Sequence, residues 1–354
     1  MPGETINRVR AAGLGVAARM LFSLPDGALR RIFGEPPEAA AGLAPDAWAL
    51  CRVADLIESA SEVDDPVLMR IETEVLAFAV ADRTPLPVET SDFDLNPGGN
   101  SLPARLYKPA GETGPGPLLI WFHGGGWVVG SIASHDYSCR RLTHNSGVRI
   151  LSVEYRLGPE QPFPAAADDA LAAWDAVNAD PGRFETEPGR IAVGGDSAGG
   201  NLAAVLCQDL RLAGRDQPSF QVLVYPVTEI GIQSRSMKDF ATGFYLTEER
   251  MNFYDNHYAP GAAAEDLRAS PLKAESFDGL APAYVNTCLA DPLRDEGEMY
   301  ARRLMESGVE TRLDRFPLVH AWFNQTLSRS SRAAHGVLAD RIRQLSREYG
   351  SDDA

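Results

Sequence analysis

The chain has 354 residues, 44% hydrophobic and 23% charged, which excludes global disorder and leaves ample length for a large buried core. Its 33 Lys+Arg against 49 Asp+Glu give a net charge of −16, a field that repels phosphate backbones, so no nucleic-acid partner is expected. The four cysteines, Cys51, Cys139, Cys207 and Cys288, are too scattered for a zinc site or a disulfide framework and fit a reducing cytoplasm.

Residues 6–33 carry Arg8, Arg10, Arg19, Arg30 and Arg31, with apolar Ile6, Val9, Val16 and Met20 at helical spacing. The apolar run at 11–18 ends at Arg19 without a cleavage site, so it is read as an amphipathic helix and not a secretory signal. Its expected place is on the protein's own surface, with membrane-surface or partner docking as the alternative. No apolar run approaches the roughly 18 residues of a membrane span. Up to about residue 85 the pattern is helical, broken at Pro25-Asp26-Gly27, Gly34-Glu35-Pro36-Pro37 and Asp64-Asp65-Pro66.

From Val88 the period changes. Strands are expected over 88–95 and 101–107, joined by Asn96-Pro97-Gly98-Gly99-Asn100 as an antiparallel hairpin. The continuous apolar run Leu118–Phe122 predicts a strand buried on both faces. Further strands are expected over 148–155, 190–194, 220–227, 283–288 and 309–316, and helices over 165–178, 201–213, 297–307 and 328–349. This alternation predicts an α/β fold: a mostly parallel sheet with helices on both faces. Residues 228–272 interrupt the rhythm with loops and a helix over 247–258.

Gly195-Asp196-Ser197-Ala198-Gly199-Gly200 stands between an expected strand and an expected helix. A serine there is held in a strained turn with its hydroxyl directed off the sheet, and the flanking glycines let the chain cross itself closely. Gly-x-Ser-x-Gly alone is a weak signal; the strand–turn–helix context makes it specific. A serine hydroxyl needs a base held by a third group, and this topology supplies them in the order Ser, Asp or Glu, His. Of His123, His135, His144, His257, His320 and His335, only the last two follow the strand at 309–316. His320 falls in the loop directly after it, whereas His335 lies inside an expected helix and reads as an ordinary core or surface residue. Asp291 is the first carboxylate beyond the strand at 283–288, and Asp295 is expected to cap the helix that follows.

His123-Gly124-Gly125-Gly126-Trp127 follows Leu118–Phe122. Its glycines bring backbone N–H groups close to a substrate oxygen and, with the N–H of Ala198, supply the donors a tetrahedral intermediate requires. No Gly-Lys-Ser/Thr ending follows, which argues against a phosphate loop. His123 is expected to fix the loop by hydrogen bonds. Trp127, Tyr225, Phe244, Tyr245 and Trp322 are the candidate pocket aromatics.

These motifs, together with Tyr155-Arg156-Leu157-Gly158-Pro159-Glu160, Pro162-Phe163-Pro164-Ala165-Ala166 and Asp291-Pro292-Leu293, resemble the bacterial hormone-sensitive-lipase-like esterases of the α/β-hydrolase fold. The resemblance implies Ser197 as nucleophile, His320 as base, Asp291 as acid, and Gly125, Gly126 and Ala198 as oxyanion donors, with His123 and Gly124 in support. It implies a helical cap from residues 1–85 and an insertion near 228–272 on a catalytic domain over 86–354. The implied reaction is hydrolysis of short- to medium-chain acyl esters without cofactor or metal; a homodimer is the family's analogy. An amidase or deacetylase on the same triad is the rival enzyme, and a non-catalytic ligand receptor the rival of another class. Two departures stand out. Gly158 and Gln161 replace the common alanine and histidine, and Ala321-Trp322 replaces the glycine after the base.

Overall fold

The computed structural model describes residues 2–58, 65–96, 99 and 101–350, with residues 2–10 and 56–58 described by backbone only. Four helices come first: α1 (Pro2–Ser23), α2 (Asp26–Phe33), α3 (Pro45–Glu58) and α4 (Pro66–Val80). Asp65 caps α4 through the N–H groups of Val67 and Leu68, and Pro66 takes the first position, where a missing N–H costs nothing. α1 packs on the protein itself: Ala11, Gly15 and Phe22 are buried, and Gly15 lies against the Ala79 backbone of α4. The side chains of Ile6, Arg8, Val9 and Arg10 lie outside the described residues, as do Asp64, Pro97, Gly98 and Asn100.

Then follow β1 (Val88–Asp94), β2 (Pro103–Pro109), β3 (Leu118–Phe122), α5 (Ile132–Ser146), β4 (Arg149–Val153), α6 (Ala165–Ala179), β5 (Ile191–Asp196) and α7 (Ala198–Leu212). The chain continues with β6 (Gln221–Val224), α8 (Arg235–Asp239), α9 (Glu248–Tyr258), β7 (Ala283–Ala290), α10 (Arg294–Glu306), β8 (Thr311–Val319) and α11 (Arg329–Glu348). The eight strands form one sheet in the order β1-β2-β4-β3-β5-β6-β7-β8. β1 and β2 pair antiparallel, as does β2 with β4, and β3 to β8 are parallel.

Side-chain alternation divides the core between the two faces. Leu118, Ile120 and Phe122 of β3 join one buried cluster with α6, α7 and α10. Leu119 and Trp121 join the other, with Cys139 and Leu142 of α5 and Leu338 and Ile342 of α11. A strand covered on both sides must be apolar throughout, which is why this run reads as unbroken hydrophobic sequence. Two boundaries differ from the sequence reading in ways that matter for the site. α7 starts at Ala198, three residues early, so Ser197 itself occupies the N-cap; α10 starts at Arg294, also three residues early.

Candidate active site

β5 delivers Ser197 to the head of the sheet in a left-handed conformation, φ +56°, which costs on the order of 1–3 kcal/mol and persists only where its surroundings impose it. The Ser197 N–H donates to the Val224 carbonyl at 2.9 Å. Gly199 allows α7 to leave the turn beside β3, since a Cβ there would overlap the Phe122 carbonyl. β7 ends immediately before Asp291 and β8 immediately before His320. The ends of β5, β7 and β8, with β6 between the first two, therefore converge.

His320 Nε2 lies 2.9 Å from Ser197 Oγ, and His320 Nδ1 lies 2.9 Å from Asp291 Oδ2. An ionised carboxylate only accepts, so the imidazole proton belongs on Nδ1, and the Nε2 lone pair faces the serine hydroxyl. Asp291 is fully buried, and its Oδ1 accepts the Leu293 N–H at 2.9 Å. Asp295 does not cap the following helix. Because α10 begins one residue before it, its carboxylate falls inside the first turn, accepts the Ser236 N–H at 2.8 Å and pairs with Arg294 at 2.9 Å.

The glycine loop after β3 turns tightly on itself. The Gly125 carbonyl accepts the N–H groups of Val128 and Val129 at 3.1 and 2.9 Å. Gly125 has φ +124°, and a Cβ on it would overlap the Val129 carbonyl, so the residue has to be glycine. Among the described residues the N–H groups of Gly125, Gly126 and Ala198 donate to no protein acceptor. Gly124 is held differently: its N–H donates to Asp196 Oδ1 at 3.1 Å. Asp196, adjacent to the serine, is buried; it also accepts the Tyr225 hydroxyl at 3.3 Å and sits 3.3 Å from His135 Nε2. Burial pulls its pKa up, but His135 and these hydrogen bonds outweigh that and hold the carboxyl below its usual value.

His123 is fully buried beneath the loop, and burial pushes its pKa down to about 3, so the ring is neutral. Its Nδ1–H donates to the Gly124 carbonyl at 2.9 Å, and the ring stacks on Tyr155, whose hydroxyl donates to the His123 carbonyl at 2.7 Å. The five aromatics read from sequence disperse. Tyr225 lies against His320, ring centroids 4.6 Å apart, with φ +38°. The Trp127 indole is buried and stacks on Tyr258 at 4.3 Å. Trp322 is fully buried among Phe316, Tyr225 and His335, its indole N–H donating to Asn286 at 3.3 Å, so its bulk fills the interior. Phe244 packs between Trp48 of α3 and Phe240, with Tyr245 half-buried beside this cluster. Tyr254 was not legible in sequence, an aromatic in a helix without a motif; its ring lies directly against Gly126.

Residues 119–324 match the family described as having the alpha/beta hydrolase fold. The carboxylic ester hydrolase LipN of Mycobacterium tuberculosis is 40% identical over 274 residues, 74% of this chain and 72% of that protein. The chain belongs to the hormone-sensitive-lipase-like esterases of the α/β-hydrolase fold. An ethyl acetate hydrolase of Pseudomonas putida is 37% identical over 70% of this chain and 80% of its own length. Among solved structures, an ester hydrolase from the Lake Arreo metagenome, complexed with a bipyridine phosphonate derivative, superposes with a TM-score of 0.82 at 36% identity. It covers 87% of this chain and 100% of that one. The family match runs from inside β3 to just beyond His320, and so takes in the glycine loop, the serine turn and Asp291.

Proposed function

We propose that Ser197, His320 and Asp291 are the catalytic triad of this carboxylic ester hydrolase, with Gly125, Gly126 and Ala198 as its oxyanion donors and short- to medium-chain acyl esters as its substrates. The observation that carries the reading is the unbroken hydrogen-bond chain from Asp291 through His320 to Ser197, 2.9 Å at each step. His320 Nε2 takes the hydroxyl proton as Ser197 Oγ attacks the ester carbonyl. Asp291 holds the imidazole tautomer and stabilises the imidazolium without taking the proton. The carbonyl oxygen becomes an anion facing the three N–H groups, each worth about 2.7–4 kcal/mol of transition-state stabilisation. His320 returns the proton to the leaving alcohol. It then activates the water that releases the acid from Ser197.

The cap of this proposal is drawn from residues 1–85 and the insertion near 228–272. Two contacts support it: Tyr254 of α9 against Gly126, and Met69 of α4 packed with Val128 and Val129. A site roofed at that distance admits a short acyl chain more readily than a long one, and the name of the Pseudomonas putida relative points the same way. The cytoplasm is the proposed setting, supported by four cysteines that are all buried as free thiols. Among the described residues no helix is long and apolar enough to cross a membrane.

Turnover of p-nitrophenyl acetate, butyrate and palmitate by the wild type and Ser197→Ala tests the reading. The expected result is a loss of at least about 10³-fold in Ser197→Ala, with acetate or butyrate preferred to palmitate. Equal rates for the two proteins would refute the triad, and a palmitate preference would refute the acyl range.

A further inference from the structure

We propose that Arg70 is a positioning residue for the oxyanion hole, and that α4 is a fixed brace for the glycine loop within the helical region otherwise assigned to the cap. This inference rests on the oxyanion role given above to Gly125 and Gly126.

The guanidinium of Arg70 has its whole fork engaged. Nε donates to the Val128 carbonyl at 2.8 Å and Nη2 to the Gly158 carbonyl at 2.7 Å. Nη1 and Nη2 reach the two carboxylate oxygens of Glu160 at 2.9 and 2.6 Å. Val128 is two residues beyond Gly126, and Gly158 is already bonded to the same loop, its N–H donating to the Trp127 carbonyl at 2.9 Å. Arg70 thus closes a ring of hydrogen bonds through α4, the glycine loop and the Gly158–Glu160 turn. One helical turn along, Glu74 accepts the Ser131 hydroxyl at 3.0 Å, so α4 grips the chain again where α5 begins. Met69, the residue before Arg70 on α4, packs with Val128, Val129, Phe253 and Tyr254.

The loop needs such help. A run of three glycines has no intrinsic preference for φ +124° at Gly125, and a donor that wanders by 1 Å loses much of its effect. The Val128 carbonyl shares its planar peptide unit with the Val129 N–H, which donates to the Gly125 carbonyl at 2.9 Å, so fixing that peptide fixes the turn that aims the Gly125 and Gly126 N–H groups. A lysine at position 70 would keep the charge but not the planar fork. Its single side-chain nitrogen carries three donors, whereas Arg70 makes four hydrogen bonds from three spaced nitrogens.

The test compares the wild type, Arg70→Lys and Arg70→Met for kcat and KM on p-nitrophenyl butyrate, for inhibition by an aryl trifluoromethyl ketone, and for thermal midpoint. The ketone forms a tetrahedral oxyanion adduct on the serine and so reads the hole directly. The expected result for Arg70→Met is a kcat lower by about 10- to 100-fold, KM within about threefold, and ketone affinity weakened by the same factor as kcat. Arg70→Lys is expected to fall between the two proteins, and it decides by the same readouts where Arg70→Met does not fold. A lowered thermal midpoint with kcat and ketone affinity of the folded enzyme unchanged within twofold would overturn the proposal, leaving Arg70 a structural residue only. Ser197→Ala, run alongside, separates the two readings: absence of Ser197-dependent turnover refutes the triad, whereas Ser197-dependent turnover indifferent to Arg70 refutes only the brace.

Discussion

Ala321 sits directly after His320 with φ +60°, a conformation that costs an L-residue about 1–2 kcal/mol. Trp127, Ser197 and Tyr225 also have positive φ, so four of the six such non-glycine residues among those described lie in the loops around Ser197, Asp291 and His320, with Glu185 and Tyr245 elsewhere. At Ala321 the strain is removable. Ala321→Gly is expected to stabilise the fold by about 0.5–1 kcal/mol, the relief of strain exceeding the extra entropy glycine has in the unfolded chain. The urea midpoint checks it, and a lower midpoint would show that Ala321 is held there without penalty. The same residue scale explains what could be read in advance. Ser197, Asp291 and His320 stood out because each follows a strand, and strand ends in a parallel sheet converge on one side. Arg70, His135 and Tyr254 carried no such mark: Arg70 meets Val128 across 58 residues of sequence, and His135 is one polar residue in a polar helix. Asp295 was misplaced by a helix boundary alone, since a carboxylate caps only from outside the first turn.

At the scale of elements, strands were legible where burial was two-sided and helices where their buried stripe was apolar. α5 failed that second condition. Its buried face includes Ser134, His135, Ser138, Thr143 and Ser146, so the sequence shows no hydrophobic period over a helix that covers one face of the sheet. The helix is started by its cap. Ser131 accepts the Ser134 N–H, Ser134 accepts the Ser131 N–H, and Ser131 Oγ also donates to Glu74. Serine at the fourth place of the box, where Glu or Gln is usual, hides this signature from the sequence. Ser131→Ala removes the side-chain cap and leaves a buried N-terminus short of an acceptor. A destabilisation of about 1–2 kcal/mol is expected in urea unfolding, and a change within about 0.3 kcal/mol would mean that water replaces the cap at no cost. The hairpin at the sheet edge was legible for the opposite reason: its turn residues and polar strands are local signals, although β2 begins two residues later than read.

For the whole molecule, the buried His123, His335 and Glu296 and the half-buried Asp255 divide the pH axis. Burial pushes His123 from 6.5 down to about 3 and His335 to about 4, and it raises Glu296 from 4.5 to about 8 and Asp255 from 3.8 to about 7. Between about pH 4.5 and 6.5 the unfolded chain holds two histidine protons that the folded chain refuses. The folded chain holds two carboxyl protons that the unfolded chain has released. The proton counts match, so these groups leave stability level across that window. Above 6.5 the histidine difference vanishes while the carboxyls still retain protons only in the folded state, and stability falls as pH rises towards 8. Below about 4 the carboxyls are protonated in both states and the histidines alone differ, so stability falls again towards pH 3. Asp46, Asp82 and Asp196 steepen that acid limb: burial raises each, hydrogen bonds and neighbouring cations outweigh it, and the stability they supply is lost on protonation. Each unmatched proton contributes about 1.4 kcal/mol per pH unit. The net charge of −16 acts with the alkaline limb, since self-repulsion is weaker where carboxylates are neutral. Urea unfolding from pH 3.5 to 8.5 is therefore expected to show a plateau on the acidic side of neutrality, and Glu296→Gln to flatten the alkaline limb and tilt the plateau so that stability rises with pH across it, with the limb below about pH 4 unaltered. A stability that climbs steadily to pH 8 would show that Glu296 and Asp255 ionise inside the fold, and the interior around α9 and α10 would then have to be far wetter than its burial implies.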